Sequence, residues 1–183
     1  MKTRRWVVSV AVLAVLVPSA ASAGTVVLEP ATTAVAPAER GAPAQAVFLF
    51  DVSGLPSGGD RVVEEALLEW EAPGVTAEGL TEFFAYAATQ TWSVAGVEAG
   101  TVPAYEPEEL AHWTIEPPDY GRHGGFVRLD LTNLVQAWAD RSKSNYGIVV
   151  VCPTLAAESL EDRLETARLV VRCGVRIDRE GAG

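Results

Sequence analysis

The chain reads as an all-β protein, an antiparallel β-sandwich with one short helix near residues 133–141. Three observations point there. Short apolar or alternating runs recur along the sequence, and stretches rich in Gly and Pro separate them. A strand-to-turn corner occurs twice, at 48–56 (FLFDVSGLP) and at 126–138 (FVRLDLTNLVQAW). Each passes from a strand pattern into Asp, an aliphatic residue, Ser or Thr, and Leu two positions later. The length beyond an N-terminal leader, 160 of 183 residues, suits one domain with a real core.

The leader comes first. Lys2, Arg4 and Arg5 precede an apolar run, 6–17, and 18–23 (PSAASA) offers an Ala-x-Ala site, so cleavage is expected after Ala23. The run is short of the roughly 20 residues a bilayer span needs. No transmembrane anchor is therefore expected, and the product should be secreted, extracellular or periplasmic. Thr3-Arg4-Arg5 also suggests a twin-arginine signal, but Trp6-Val7-Val8 fits that pattern poorly and favours the general secretory route. Residues 24–45 form an N-terminal segment, with a strand at 25–28 and an extended loop over 30–43.

The main domain spans 46–174. Its first strand, 46–51, is apolar up to Asp51, and Gly54, Pro56, Gly58 and Gly59 break it. Segment 61–71 supports two patterns. Val62, Val63, Ala66, Leu67 and Trp70 share a helical face, while Ala66, Leu68 and Trp70 alternate as in a strand, and local propensity leans to helix. Segment 81–88 is an aromatic strand with Phe84 and Tyr86 on one side and Phe83 and Ala85 on the other. A loop over 93–109 leads to a strand at 109–116, and 117–125 is a loop. After the strand at 126–131, Asp130 or Thr132 can cap a helix whose buried face is Leu134, Val135 and Trp138. Strands at 148–152 and 167–173 follow, joined by a charged connection, and 175–183 is a tail.

Charge and cysteine usage bound the function. Cleavage removes three basic residues and no acid, taking the formal net charge from −10 to −13. An acidic exported chain is a poor ligand for nucleic acid. Cys152 and Cys173 are the only cysteines, and export would allow a disulfide between them. In a simple hairpin of their strands the two would lie at opposite ends, too far apart to bridge. A disulfide thus needs another strand arrangement, and two buried thiols are the alternative.

With both corners in view, the chain resembles the DNRLRE domains, also called disaggregatase-related or carbohydrate-binding module family 96-like domains. The likeness rests on VFLFDVSGLP at 47–56, the strand-like 62–71, Trp92, DLTNLVQAW at 130–138, NYGIVV at 145–150 and the strand from Ala167. It covers most of 46–173, and the block at 130–151 is its most specific part. The resemblance implies a jelly-roll-like sandwich and makes 61–71 a strand. It also implies an exported protein that binds a polysaccharide. Residues 25–43 and 94–107 depart from the family pattern.

The chemistry-bearing residues are sparse. Asp51 and Asp130 could pair for acid–base work, yet each is better explained as holding the turn after its strand. The acids Glu64, Glu65, Glu69 and Glu71 suit a solvated strand better than a glycosidase pair. His112 and His123 have no partners at metal-ligand spacing, and no nucleophile elbow or phosphate loop occurs. No catalytic residue and no cofactor are therefore expected. Calcium would need a cluster of closely spaced Asp residues that the loops do not supply. Sugar binding needs exposed aromatic faces beside polar groups. Trp92, Trp113, Tyr105, Tyr120, Arg122 and His123 are the candidates, although the two Trp residues fit core or rim packing as well. The expected function is an exported, non-catalytic module binding a polysaccharide or cell-surface component. The alternatives are a structural or adhesion domain of the envelope and, less favoured, a small polysaccharide-degrading enzyme.

Overall fold

The computed structural model describes residues 24–37, 42–56, 61–71, 81–115, 126–154, 160–161 and 164–175. The expected leader and most of the C-terminal tail lie outside the described residues. Among those residues, nine strands form two antiparallel sheets. The first sheet has the order β1 (Gly24–Leu28), β9 (Arg168–Val175), β4 (Arg61–Glu71) and β7 (Phe126–Asp130). The second runs β2 (Pro30–Ala36), β3 (Ala44–Phe50), β8 (Ile148–Cys152), β5 (Thr81–Ala87) and β6 (Ala111–Ile115). With β2 set aside as an added edge strand, the other eight divide four and four, the first beside the last. That is a jelly-roll arrangement. Among the described residues, no helix is long and apolar enough to cross a membrane.

The core lies between the sheets. Phe48 and Phe50 of β3, Leu68 and Trp70 of β4, and Phe83 of β5 meet Leu129, Ile148, Leu169 and Val171 there. Trp70 sits edge-on to Phe83, with ring centroids 5.2 Å apart, and it is fully buried. Its indole N–H has no hydrogen-bond partner among the described residues. Trp138 of α2 (Thr132–Ala139) is buried too, as its helical face requires.

β4 resolves the helix-or-strand ambiguity at 61–71. Its register against β9 slips between Val63 and Glu65, so Glu64 is an extra, bulged residue. The bulge moves the inward set from Val63 to Ala66, Leu68 and Trp70. One inserted residue in a period of two mimics the spacing of a helix, which is why both patterns fit. Gly174, paired with Val62, leaves room for the Glu64 side chain, which a Cβ there would strike.

Two expectations need correction. The extended loop at 30–43 contains β2, a Pro-, Ala- and Thr-rich strand that pairs with β3 alone. An edge position tolerates Pro30 at the strand's start. The loop at 93–109 holds a short helix, α1 (Val94–Glu98), where Ser93 Oγ accepts from the Gly96 N–H at 3.2 Å. For the cysteines, the strands that carry them do not form the hairpin considered above. They lie in opposite sheets, and Cys152 and Cys173 are both buried thiols.

The 130–138 motif acts at an open sheet edge. β7 pairs with β4 only from Leu67 to Glu71, which leaves Val63 and Ala66 without a neighbouring strand on that side. α2 supplies the missing partners. Gln136 Oε1 accepts from the Val63 N–H at 2.6 Å, Thr132 Oγ1 accepts from the Ala66 N–H at 3.0 Å, and the Leu131 N–H donates to the Ala66 carbonyl at 2.8 Å. Asp130 Oδ1 in turn accepts from the Thr132 N–H and hydroxyl.

Candidate functional site

The outer faces of the two sheets differ in chemistry. On the β1–β9–β4–β7 sheet, ionic cross-strand pairs lie beside a row of Val27, Val170 and Leu67. Glu69, nearly buried, receives Arg128 Nε at 3.2 Å and Arg168 Nη2 at 2.7 Å, and both guanidiniums lie over the Phe126 ring. Arg172 Nη2 pairs with Glu65 at 2.9 Å. These contacts satisfy the charged side chains locally and leave a solvated, self-paired surface.

The outer face of the other sheet is apolar and aromatic. Part of it is covered. Trp92, Val94, Val97 and Val102, from the 88–105 excursion that includes α1, pack with Ala34, Ala36, Val47 and Val149 into a second small core. Trp92 is anchored there, its Nε1–H donating to the Tyr146 carbonyl at 2.8 Å. Gly147 makes the arrangement possible. It has φ +96°, and a Cβ would collide with the Phe48 carbonyl oxygen. Asn145 completes the turn, donating to the Phe50 carbonyl at 2.8 Å and accepting from the Gly147 N–H at 3.1 Å.

Beyond this cover, an aromatic band follows β5 and β6. Alternation along β5 sends Phe83 and Ala85 inward and Phe84 and Tyr86 outward. Phe84 is stacked on its cross-strand partner His112, with centroids 4.5 Å apart and planes within 12°. Tyr86 lies against Tyr105, 4.9 Å between centroids, brought there by the bridge between Ala88 and Tyr105. Among the described residues, Tyr105 stays exposed, at 37%. Polar groups border the rings. His112 Nε2 lies 3.0 Å from Thr114 Oγ1 and 3.6 Å from Glu82 Oε1. Burial pushes the Tyr86 phenol above its ordinary value, and the charge of Glu109 and the neighbouring Tyr105 push it the same way.

A groove of about 640 Å³ opens at the side of the sandwich, where α2 meets the segment before β6. Glu64, Glu106, Glu108, Glu109 and Asp130 line it together with Lys143. Several of these carboxylates are already engaged. Asp130 holds Thr132, Glu106 binds Lys143 Nζ at 2.6 Å, and Glu64 lies 3.9 Å from Arg172. Among the described residues, no three His, Cys, Asp or Glu side chains form a group that could hold a metal ion. Asp51 also does structural work, its Oδ1 accepting from the Ser53 N–H at 2.9 Å.

The six sequence candidates do not converge. Tyr105 belongs to the aromatic band. Trp92 lies half-buried on the same outer side, under the excursion. Trp113 is on the opposite side of the sheet, because β6 points His112 and Thr114 outward and packs Trp113 towards the core, opposite Phe83. Tyr120, Arg122 and His123 lie outside the described residues. Sequence reasoning missed Phe84, Tyr86 and His112 as a group. The alternation at 81–87 was visible, but nothing local says which of its two aromatic sides faces out.

Comparison with known proteins finds no family model that matches this chain and no curated protein that matches it.

Proposed function

We propose that the chain is an exported, non-catalytic β-sandwich module that binds a polysaccharide or another cell-surface glycan on the outer face of β5 and β6. The observation that carries this reading is the aromatic band of Phe84, Tyr86, Tyr105 and His112. Flat aromatic faces beside hydroxyl, imidazole and carboxylate groups suit sugar rings, which offer an apolar C–H face and a polar hydroxyl rim. The leader-like N-terminus supports export, and the resemblance of 46–173 to DNRLRE domains supports a glycan as ligand. Asp130 and Glu106 of the groove belong to the scaffold in this reading, since Thr132 and Lys143 hold them.

Affinity electrophoresis of the purified chain across a broad panel of soluble polysaccharides tests the proposal. At least one polymer should retard it. Tyr105→Ala and Tyr86→Ala should each weaken that retardation by about tenfold or more, equivalent to ~1.4 kcal/mol of binding free energy. Migration unchanged on every polymer would sink the reading. Release of reducing ends from a bound polymer would overturn its non-catalytic part.

A further inference from the structure

We infer that the glycan taken by this face is uncharged, a run of neutral sugar residues lying along Phe84, Tyr86, Tyr105 and His112. The inference rests on the proposed function and narrows its ligand class. Charge distribution is the first reason. The band is bordered by Glu82 beside His112 and by Glu109 near Tyr86. The whole chain has a net charge of −10, so a uronate or sulfated polymer would approach against the field.

Recognition of acidic sugars also needs cations in the right place. Arg128, Arg168 and Arg172 lie on the outer face of the other sheet, paired with Glu69, Glu64 and Glu65. Lys143 is held by Glu106.

The groups that do border it suit neutral hydroxyls. Carboxylates accept hydrogen bonds from O–H donors, and such charge-assisted bonds are strong. The Tyr86 and Tyr105 phenols and the Thr114 hydroxyl can both donate and accept. A cationic amino-sugar polymer would also meet Glu82 and Glu109, and glucosamine oligomers are the test of that alternative. Outward positions on β5 repeat about every 6.8 Å. The Phe84–His112 and Tyr86–Tyr105 pairs therefore offer two successive aromatic contact points, and an oligosaccharide should bind better than a single sugar.

Titration calorimetry of the purified chain distinguishes the ligand classes, using neutral gluco-, manno- and xylo-oligosaccharides, oligogalacturonates and glucosamine oligomers as three arms. At least one neutral oligosaccharide should bind, and its affinity should change less than about threefold in ~1 M salt, where charges are screened within roughly 3 Å. Oligogalacturonates should give no heat of binding. Tyr105→Ala and Tyr86→Phe, checked for folding by circular dichroism, place the ligand on the band, and both should weaken neutral binding. Salt-sensitive binding of oligogalacturonates or glucosamine oligomers in preference to neutral ones would overturn the inference while leaving a glycan-binding module in place. Neutral binding unaffected by either tyrosine substitution would overturn the assigned face. Silence in all three arms would remove both this inference and the function it rests on.

Discussion

Gly147 carries a backbone conformation and a close contact that no other residue type satisfies together. Its φ of +96° is costly for side chains, and its neighbour is a backbone carbonyl that cannot swing away. Gly147→Ala should lower stability by more than about 1 kcal/mol, read as a lower urea midpoint. It should also loosen Trp92, seen as a change in tryptophan fluorescence. Asp51 offers a pH test. The Ser53 side chain, and then the Ser53 N–H, bind its carboxylate and hold its pKa below the ordinary 3.8. A carboxylate with a depressed folded pKa stabilises the fold above its unfolded pKa, and that contribution fades as pH falls through the folded value. The stability gap between wild type and Asp51→Ala should therefore be full at neutral pH and close below about pH 3.8. A gap that persisted unchanged into strong acid would show that the carboxylate's charge is not what matters.

At the scale of elements, α2 takes the place of a strand beside the bulged half of β4. Thr132→Val and Gln136→Leu should each leave a part-buried N–H without its partner, costing roughly 1–3 kcal/mol in equilibrium unfolding. Their combination should cost less than the sum if the helix detaches once either bond is lost. On the outer face of the same sheet, Glu69→Gln should destabilise by roughly 1–2 kcal/mol, because Arg128 and Arg168 are half-exposed and water screens them. The deficit should shrink at high salt. Sequence alone made the simple elements legible, and physical reasons explain the others. β5 and β8 show clean or wholly apolar runs. β4 hides behind its bulge, β2 behind the weak strand propensity of Pro and Ala, and α1 behind its five residues and Gly96. The corner motif was visible as a turn held by its Asp, although the N-cap of α2 is Leu131 and carries no side-chain cap bond. Its reach to Val63 and Ala66, across 73 and 66 residues, was not, because nothing local in α2 names a distant backbone donor.

On the scale of the whole molecule, the aromatic band lies on the outer face of one sheet and the Arg–Glu pairs on that of the other, and this placement was not readable from composition. The tyrosines and Phe84 announce themselves, but a strand with Phe83 beside Phe84 gives no sign of which ring meets solvent. Only pairing with β6 and β8 decides it. Cys152 and Cys173 sit in different sheets as thiols, so reductant should leave the thermal midpoint unchanged. Two thiols per chain should react once the protein is denatured. The strand order also has a consequence in time. β8 and β9 come last in the sequence, yet β8 lies between β3 and β5, and β9 lies between β1 and β4. Each sheet lacks a middle strand until the chain is nearly complete, and such distant pairings form slowly. A version ending at residue 167 would hold all five strands of the second sheet but no β9 to join β1 to β4, so its sandwich should not close and it should unfold at much lower urea than the full chain. That late closure keeps the polypeptide threadable for as long as it is being made, the condition a chain needs if it is to pass a narrow pore before it folds.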